Sequence, residues 1–583
     1  SKWSPHGRWP VLIEGDGMFA GMFIRRFHPA DVYRRESIAA PQTAKIPDPQ
    51  SIQRAVVNAW GGNPAESIPA AFKRAGFIPQ GVIYLSTADP AWTAGVALAA
   101  GRGEPIAWLD GDFSNPNGEL DSNASRSLMQ TVDDLAQSTG YSWSQLGDDI
   151  DTITICRNIA GRFRVQLPGQ SANVTDPIAM TDVLGRTNQG SRWAMCGWIF
   201  GDEVQSAYIA MCSLFLDREN VALLNGHPIQ PGWDQFAAEK AAEILQPRGF
   251  HTTQAGGDQM LLAAWQQRNA FGLTADVTVL NSKGNWDWFH LYKDQVGYAE
   301  DIPVLNVPTA LHMIHSFSLR YPEDESTIGC RFIKHGVYAY VGSMWEPMLS
   351  AFVPPKNLAE RWVNCVPFLI AARMWDEQGQ AGTAWRIQTI GDPLMLCIEP
   401  AKIKKTRIAN PTKPDGVNVL ARAKSLMQEC QKSGDSRAFG EAVRDLVLVD
   451  QDQIAIALWK ISLKRDLADS SSRFVLGALF RAQDRENFIR AWKESGTSNL
   501  IARDMLWSMF TPNLAGFIDR DAVQILASNL RGPDYFIDAQ RILPIAKSTL
   551  GPAGARMMLQ RQLESMQPSA YRQKIADLLA VFK

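Results

Sequence analysis

The sequence predicts an α/β protein, with two Rossmann-like βαβ units forming a three-layer sandwich, followed by an all-α bundle or helical-repeat region. Three observations lead there. Short apolar runs such as Val82-Ile83-Tyr84-Leu85 and Val277-Thr278-Val279-Leu280 alternate with amphipathic segments over the first 400 residues, the pattern of a mostly parallel sheet covered by helices on both faces. From Lys402 to Gly416 the texture turns basic and proline-containing, with Lys402, Lys404, Lys405, Arg407 and Lys413 among Pro411 and Pro414, which reads as a linker. After Gly416 the strand-like runs stop and only helical periodicity continues.

These changes divide the chain into residues 1–150 (an N-terminal α/β subdomain), 151–400 (a second α/β subdomain), a linker over 401–416, and a helical domain over 417–583. A chain of 583 residues is too long for one core. Hydrophobic residues make up 45% and charged residues 20%, which is globular composition and argues against large-scale disorder. The net charge of -2 gives no basic surplus for a nucleic-acid partner. No apolar run reaches the ~20 residues of a membrane span. The chain begins at Ser1 without a signal-type leader, which leaves its compartment open. The 7 cysteines show no CxxC spacing and sit mostly in apolar runs, so buried thiols are expected rather than a zinc site or a disulfide framework.

The elements follow in order. Residues 11–14 read as a strand, Gly15-Asp16-Gly17 as a turn, and Met18 to Phe27 as an amphipathic helix. Val82 to Leu85 is a second strand, followed by a helix through Ala100, and Ile106 to Leu109 a third; Asp110 to Ser122 is loop. Thr152 to Cys156 is strand, and Pro168, Gly169 and Pro177 mark a loop. Arg192 to Trp198 is strand, with a helix from Gly201-Asp202 through Leu216. Val221 to Leu224 is strand and Trp233 to Leu245 helix. Strands are expected at Val277–Leu280, Ala310–Ile314 and Val337–Val341, with a helix over Ser326–Lys334. In the helical region, Asp435, Asp484, Ser498 and Asp519 are N-cap candidates, and Pro533 and Pro552 suit first turns. Apolar residues recur at Ile454, Leu458 and Ile461 and at Phe474, Leu476, Leu479 and Phe480. No fixed repeat period appears.

Ligands in such sheets bind at the carboxyl ends of strands. The motif search there excludes more than it finds. No GxGxxG follows a strand, and neither GxxxxGK nor HExxH is present. His312 and His315 fall on opposite faces of one strand, against a shared metal; neither a metal nor a cofactor is expected.

The second unit resembles the gingipain-type branch of the caspase-fold cysteine peptidases, and is most similar to a bacterial group within it. The residues that carry this are Gly336 to Ser343, similar to a late strand ending in Gly-Ser; Trp385 with Gly391-Asp392-Pro393, similar to a closing segment; and Thr181-Asp182, similar to an acidic loop. The likeness spans about Trp9 to Pro400. It implies a caspase- or gingipain-like sandwich, export as in commonly secreted relatives, and a His-Gly after one strand with a Cys after the next. Here those positions read Ser282-Lys283-Gly284-Asn285 and His315-Ser316-Phe317-Ser318. With neither a thiol nor its activating imidazole at the expected places, the resemblance implies a peptidase fold without cysteine peptidase activity. Cys330, beyond this loop, faces no obvious base.

Three function classes remain. The first is a non-catalytic scaffold that binds protein partners, or copies of itself, through the helical domain or through a cleft lined by Ser282, Asn285, Trp286, Trp288, His290, Ser318, Ser343 and Trp345. The second is a hydrolase with Ser316 as nucleophile and His315, His312 or His290 as base, or with Lys283 as base if burial lowers its proton affinity; Ser318 is the other hydroxyl available. The third is a structural subunit of a large assembly, using its 19 tryptophans and its helices as contact surfaces.

Overall fold

A computed structural model describes residues 18–27, 34–35, 48–165, 176–227, 230–375, 384–402, 417–465, 467–496, 499–516, 519–531, 536–566 and 569–582. The strand and turn expected at residues 11–17 lie outside the described residues, as do Pro168, Gly169, Ser498, Pro533 and the linker beyond Lys402.

One ten-stranded sheet forms the centre. In chain order its strands are β1 (Gly81–Leu85), β2 (Ile106–Trp108), β3 (Thr152–Cys156), β4 (Met195–Ile199), β5 (Asn220–Asn225), β6 (His251–Ala255), β7 (Val277–Asn281), β8 (Thr309–Ile314), β9 (Val337–Ser343) and β10 (Ile387–Ile390). Their spatial order is β6-β5-β7-β8-β9-β10-β4-β3-β1-β2. From β6 to β9 every pairing is parallel. β9 and β10 are antiparallel, and from β10 to β2 every pairing is parallel again. The two parallel blocks therefore run in opposite directions and meet edge to edge. The carboxyl ends of β5, β7, β8 and β9 share one rim, and those of β1, β3 and β4 lie on the opposite rim. Every residue of β1, β3, β7, β8 and β9 is buried, which is why these segments read as continuous apolar runs without polar alternation.

The helices expected from the sequence form at Met18–Phe27, Trp92–Leu98, Glu203–Phe215 and Ile328–Lys334. Asp202 caps the third by accepting from the Gln205 amide at 2.7 Å. Several expectations need correction. The strand expected from Arg192 begins only at Met195. The helix expected from Trp233 to Leu245 breaks into two 3-10 turns and a short helix, Ala242–Leu245: the side chain of Asn225 takes the Ala238 amide at 2.8 Å and Ala237 is extended. Thr181-Asp182 is no open acidic loop. Asp182 is buried in the helical turn Met180–Val183, ringed by Arg186 at 3.1 Å, Arg192 at 2.6 Å and Arg373.

The helical region runs from Val419–Ser433 to Ala570–Ala580 around its own apolar cluster, which includes Phe439, Trp459, Leu479, Trp507, Leu526 and Leu559. Asp435, Asp484 and Asp519 cap helices, Pro552 lies in a first turn, and Asn499 rather than Ser498 caps Leu500–Phe510. Strand pairing does not stop at Gly416, because Val417–Asn418 pairs with Arg34–Arg35. The apolar stripe on Asp452–Leu463 is also displaced: Ala455, Leu458 and Trp459 are buried while Ile454 and Ile461 are exposed.

A buried charge cluster joins the two regions. Arg331 reaches Asp504 at 2.6 Å, His335 Nε2 lies 2.8 Å from the same carboxylate, and Arg531 approaches it at 3.1 Å while pairing with Asp538 at 2.9 Å. Arg541 pairs with Asp301 at 2.7 Å. Charges this deep hold only when each is compensated within the cluster.

Candidate functional site

The loops at the carboxyl ends of β7, β8 and β9 carry Ser282, Lys283, Asn285, Trp286, Trp288, His290, His315, Ser316, Ser318 and Trp345, with Ser343 the last residue of β9, whereas His312 lies inside β8 and Cys330 in the helix Ile328–Lys334. Asn281, the last residue of β7, ties two loops together. Its amide nitrogen donates to Asn225 Oδ1 at 2.7 Å and to the Phe236 carbonyl at 2.8 Å, and its Oδ1 accepts from the His227 amide at 3.2 Å. Ser282 is buried and its hydroxyl donates to the His290 carbonyl at 2.7 Å. Lys283 is not buried: its side chain is 44% exposed, with Nζ 3.9 Å from Asp294, so the burial required of a lysine base is missing. Asn285 Oδ1 accepts from the Trp286 amide at 3.0 Å and so serves its own turn.

After β8 the chain turns sharply. His315 is buried, and its Nε2 donates to the Trp288 carbonyl at 3.2 Å. Close approach is possible because residue 284 is glycine; a Cβ there would stand 2.7 Å from His315 Nε2 and 2.3 Å from Trp288 O. Ser316 is partly exposed and its hydroxyl donates to Glu346 at 2.9 Å. Phe317 adopts a left-handed conformation, φ +60°, rare for a bulky side chain. Its amide donates to Ser343 Oγ at 2.8 Å. Ser343 is buried, with its hydroxyl 2.9 Å from the carbonyls of His315 and Trp345, so it acts as a clasp between two loops. Ser318 is buried against Gly342 and Tyr340. Among the described residues, no hydrogen bond joins the hydroxyl of Ser316 or Ser318 to a histidine.

Burial lowers the proton affinity of the histidines in and after β8. Burial alone pulls His312 down to about 3, and burial, outweighing the backbone contacts of Ser316 and Trp288, pulls His315 down to about 4. His312 lies inside β8 with both ring nitrogens unpartnered. A second pair, His227 and His290, stands with ring centres 6.5 Å apart, and His227 packs against Trp233 at 4.3 Å. Burial and then Lys283 lower both, His227 to about 4. His290 Nδ1 is 3.4 Å from Asp294, and Trp288 packs on the His290 ring at 5.1 Å. His227 carries no sequence motif; the available signal is a Gly-His directly after a buried strand. Cys330 is buried in Ile328–Lys334, with its thiol pushed by burial up to about 12.

A cage of rings surrounds Arg320. Its guanidinium carbon lies 4.2 Å from the Trp345 ring centre, 4.8 Å from Trp286, 5.3 Å from Phe317 and 5.3 Å from Tyr321. Edge-to-face contacts at 5.7–6.1 Å link Trp286, Phe317, Tyr321 and Trp345 to one another. The sequence singles out Trp286 and Trp345 but not Arg320, Phe317 or Tyr321. Spacing could not join them, because they come from loops after three different strands.

No protein-family model and no curated protein sequence matches this chain. Among solved structures, it is similar to the Arg-specific cysteine proteinase gingipain R, with TM-score 0.37 and 10% identity over 54% of this chain and 78% of that one. It is also similar to the complex of RgpB pro- and mature domains from Porphyromonas gingivalis, with TM-score 0.35 and 10% identity over 54% and 79% of the two chains. A structure described only as a protease gives TM-score 0.35 and 10% identity over 55% and 78%.

Proposed function

We propose that this chain is a non-catalytic scaffold with a peptidase-like α/β fold, holding other protein chains through the rim loops and through the outer face of its helical array. In this reading residues 1–150 and 151–400 form the two α/β subdomains, 401–416 link them to the helices, and 417–583 present a partner surface. The carrying observation is the pairing of side chains after β7 and β8. A nucleophilic hydrolase needs its hydroxyl or thiol within hydrogen-bond reach of a base. Here the imidazole of His315 is committed to the Trp288 carbonyl and the hydroxyl of Ser316 to Glu346. A partner role for the helices is supported by Ile454 and Ile461, which are exposed and lie on one face at i, i+7 spacing.

The test is crosslinking in native cells with the full-length chain. Ser316→Ala is expected to keep every crosslinked partner, and Ile454→Glu with Ile461→Glu to lose them. Partners unaffected by the helical substitutions, together with peptide turnover that Ser316→Ala abolishes, would overturn the proposal.

A further inference from the structure

We infer that Arg320 is a carboxylate-binding residue on the rim, placed to take an acidic side chain of a polypeptide partner; this deepens the binding reading above and rests on it.

A guanidinium carries five N–H donors in its plane, whereas its two faces have none. The four rings around Arg320 satisfy the faces. They offer nothing to the edge. Nε is buried and has no acceptor among the described residues, and no hydrogen bond or ion pair joins the side chain to any described acceptor. Arg320 is nonetheless only partly buried, so its outer edge is open to a ligand.

Three acids of the surrounding loops have partners of their own. Glu346 accepts from Ser316. Asp324 takes the amide and hydroxyl of Ser326 at 2.9 and 2.6 Å. Glu119 pairs with Arg164 and, at 3.9 Å, with Arg162. A second guanidinium packs on the same loop. Arg162 lies 4.9 Å from the Tyr321 ring centre, and its terminal nitrogens donate to the carbonyls of Arg320 at 3.3 Å and Asn117 at 2.5 Å.

The site thus presents one planar fork whose donors no described side chain takes. A single planar carboxylate meets such a fork with two parallel hydrogen bonds. The partly exposed rings of Trp286 and Trp345 flank it with apolar surface suited to the backbone and stem of an acidic residue. Holding the guanidinium among rings fixes it before binding, which reduces the ordering cost. The left-handed Phe317, pinned by Ser343, is what brings the Phe317 ring to this arginine.

The experiment uses the full-length chain and end-blocked, fluorescein-labelled peptides with a central Asp, Glu, Asn, Gln or phosphoserine in otherwise identical sequences, read by fluorescence anisotropy. The Asp and Glu peptides are expected to bind about tenfold or more tightly than their amide counterparts. Arg320→Gln should erase that preference, and Arg320→Lys should retain only part of it. Should Arg320→Gln unfold the chain, the wild-type protein still decides: its preference for acidic peptides must shrink as salt rises from about 50 to 500 mM. Binding that ignores the acid and survives Arg320→Gln overturns the inference and leaves the scaffold reading standing. Failure of every peptide to bind the wild-type chain overturns both the inference and the rim part of that reading. Preference for phosphoserine over Asp by more than about tenfold overturns the assignment to a carboxylate.

Discussion

The imidazole of His315 donates from Nε2 to the carbonyl oxygen of Trp288 at 3.2 Å, while the hydroxyl of the adjacent Ser316 turns to Glu346 at 2.9 Å. The two side chains that follow β8 are thus satisfied separately. An imidazole donating from one nitrogen can accept from a hydroxyl at the other, but His315 Nδ1 is buried and among the described residues no hydroxyl reaches it. The rim lies at the carboxyl ends of parallel strands, and among the described residues the Ser316 hydroxyl is paired with a carboxylate rather than with an imidazole.

Asp182 tests how far this region depends on fixed charge. Burial alone would raise its carboxyl above the ordinary 3.8, but Arg192, Arg373 and Arg186 outweigh burial and hold it well below that value. Replacing it by Asn leaves buried guanidiniums uncompensated, with an expected loss of about 3–5 kcal/mol in urea unfolding at neutral pH. A group held below its unfolded value contributes stability that is present above pH 3.8 and is lost as pH falls toward the folded value. The wild-type chain should therefore lose stability more steeply than Asp182→Asn on acidification below about pH 4. A cost under about 1 kcal/mol would mean that the cluster is solvated.

The contact between the sheet and the helical region should behave as one cooperative joint. Asp504 is ringed by Arg331, His335 and Arg531, which outweigh its burial and hold its carboxyl below the ordinary range. Arg331→Ala is expected to cost about 3–5 kcal/mol. It should also raise amide exchange in both Ile328–Lys334 and Leu500–Phe510, read by hydrogen–deuterium exchange. Increased exchange confined to Ile328–Lys334 would show that the helices stand without this joint.

The fold was legible where burial is complete and opaque where side chains redirect the backbone. β1, β7 and β8 announce themselves as apolar runs because both sheet faces are covered. β6, His251-Thr252-Thr253-Gln254-Ala255, is an edge strand with largely exposed side chains and carries no such run. The helix expected after Trp233 fails because Asn225, at the end of β5, takes the Ala238 amide. The stripe through Ile454 and Ile461 is displaced by Trp459, which is buried with its Nε1 donating to Ser472 at 2.8 Å. At the rim, the loops after β7 and β8 could be located from strand ends. The cage around Arg320 could not, because it exists only when loops from three strands converge.

Glu104 gives the opposite pH signature. It is fully buried, and among the described residues neither carboxyl oxygen has a hydrogen-bond partner. Burial first, then Asp392, push it well above its ordinary 4.5, against Arg102. A group raised on folding contributes stability that is present below pH 4.5 and is lost as pH rises through the folded value. Between pH 5 and 8 the wild-type Tm should fall relative to that of Glu104→Gln, which cannot ionise. Parallel pH profiles would show that the carboxyl is charged and compensated. Gly81 leaves the room for this side chain: a Cβ there would meet Glu104 Oε1 at 2.1 Å.

The most direct test of the proposed scaffold role is covalent labelling of the intact protein with serine- and cysteine-directed active-site probes, read by intact mass and peptide mapping. Cys365 is an exposed free thiol, so the experiment is done in a Cys365→Ser background. No adduct at Ser316, Ser318 or Cys330 is expected, and treatment should leave the mass unchanged. Stoichiometric modification of Ser316 that His315→Ala abolishes would reveal a working nucleophile and base, and would contradict the scaffold reading outright.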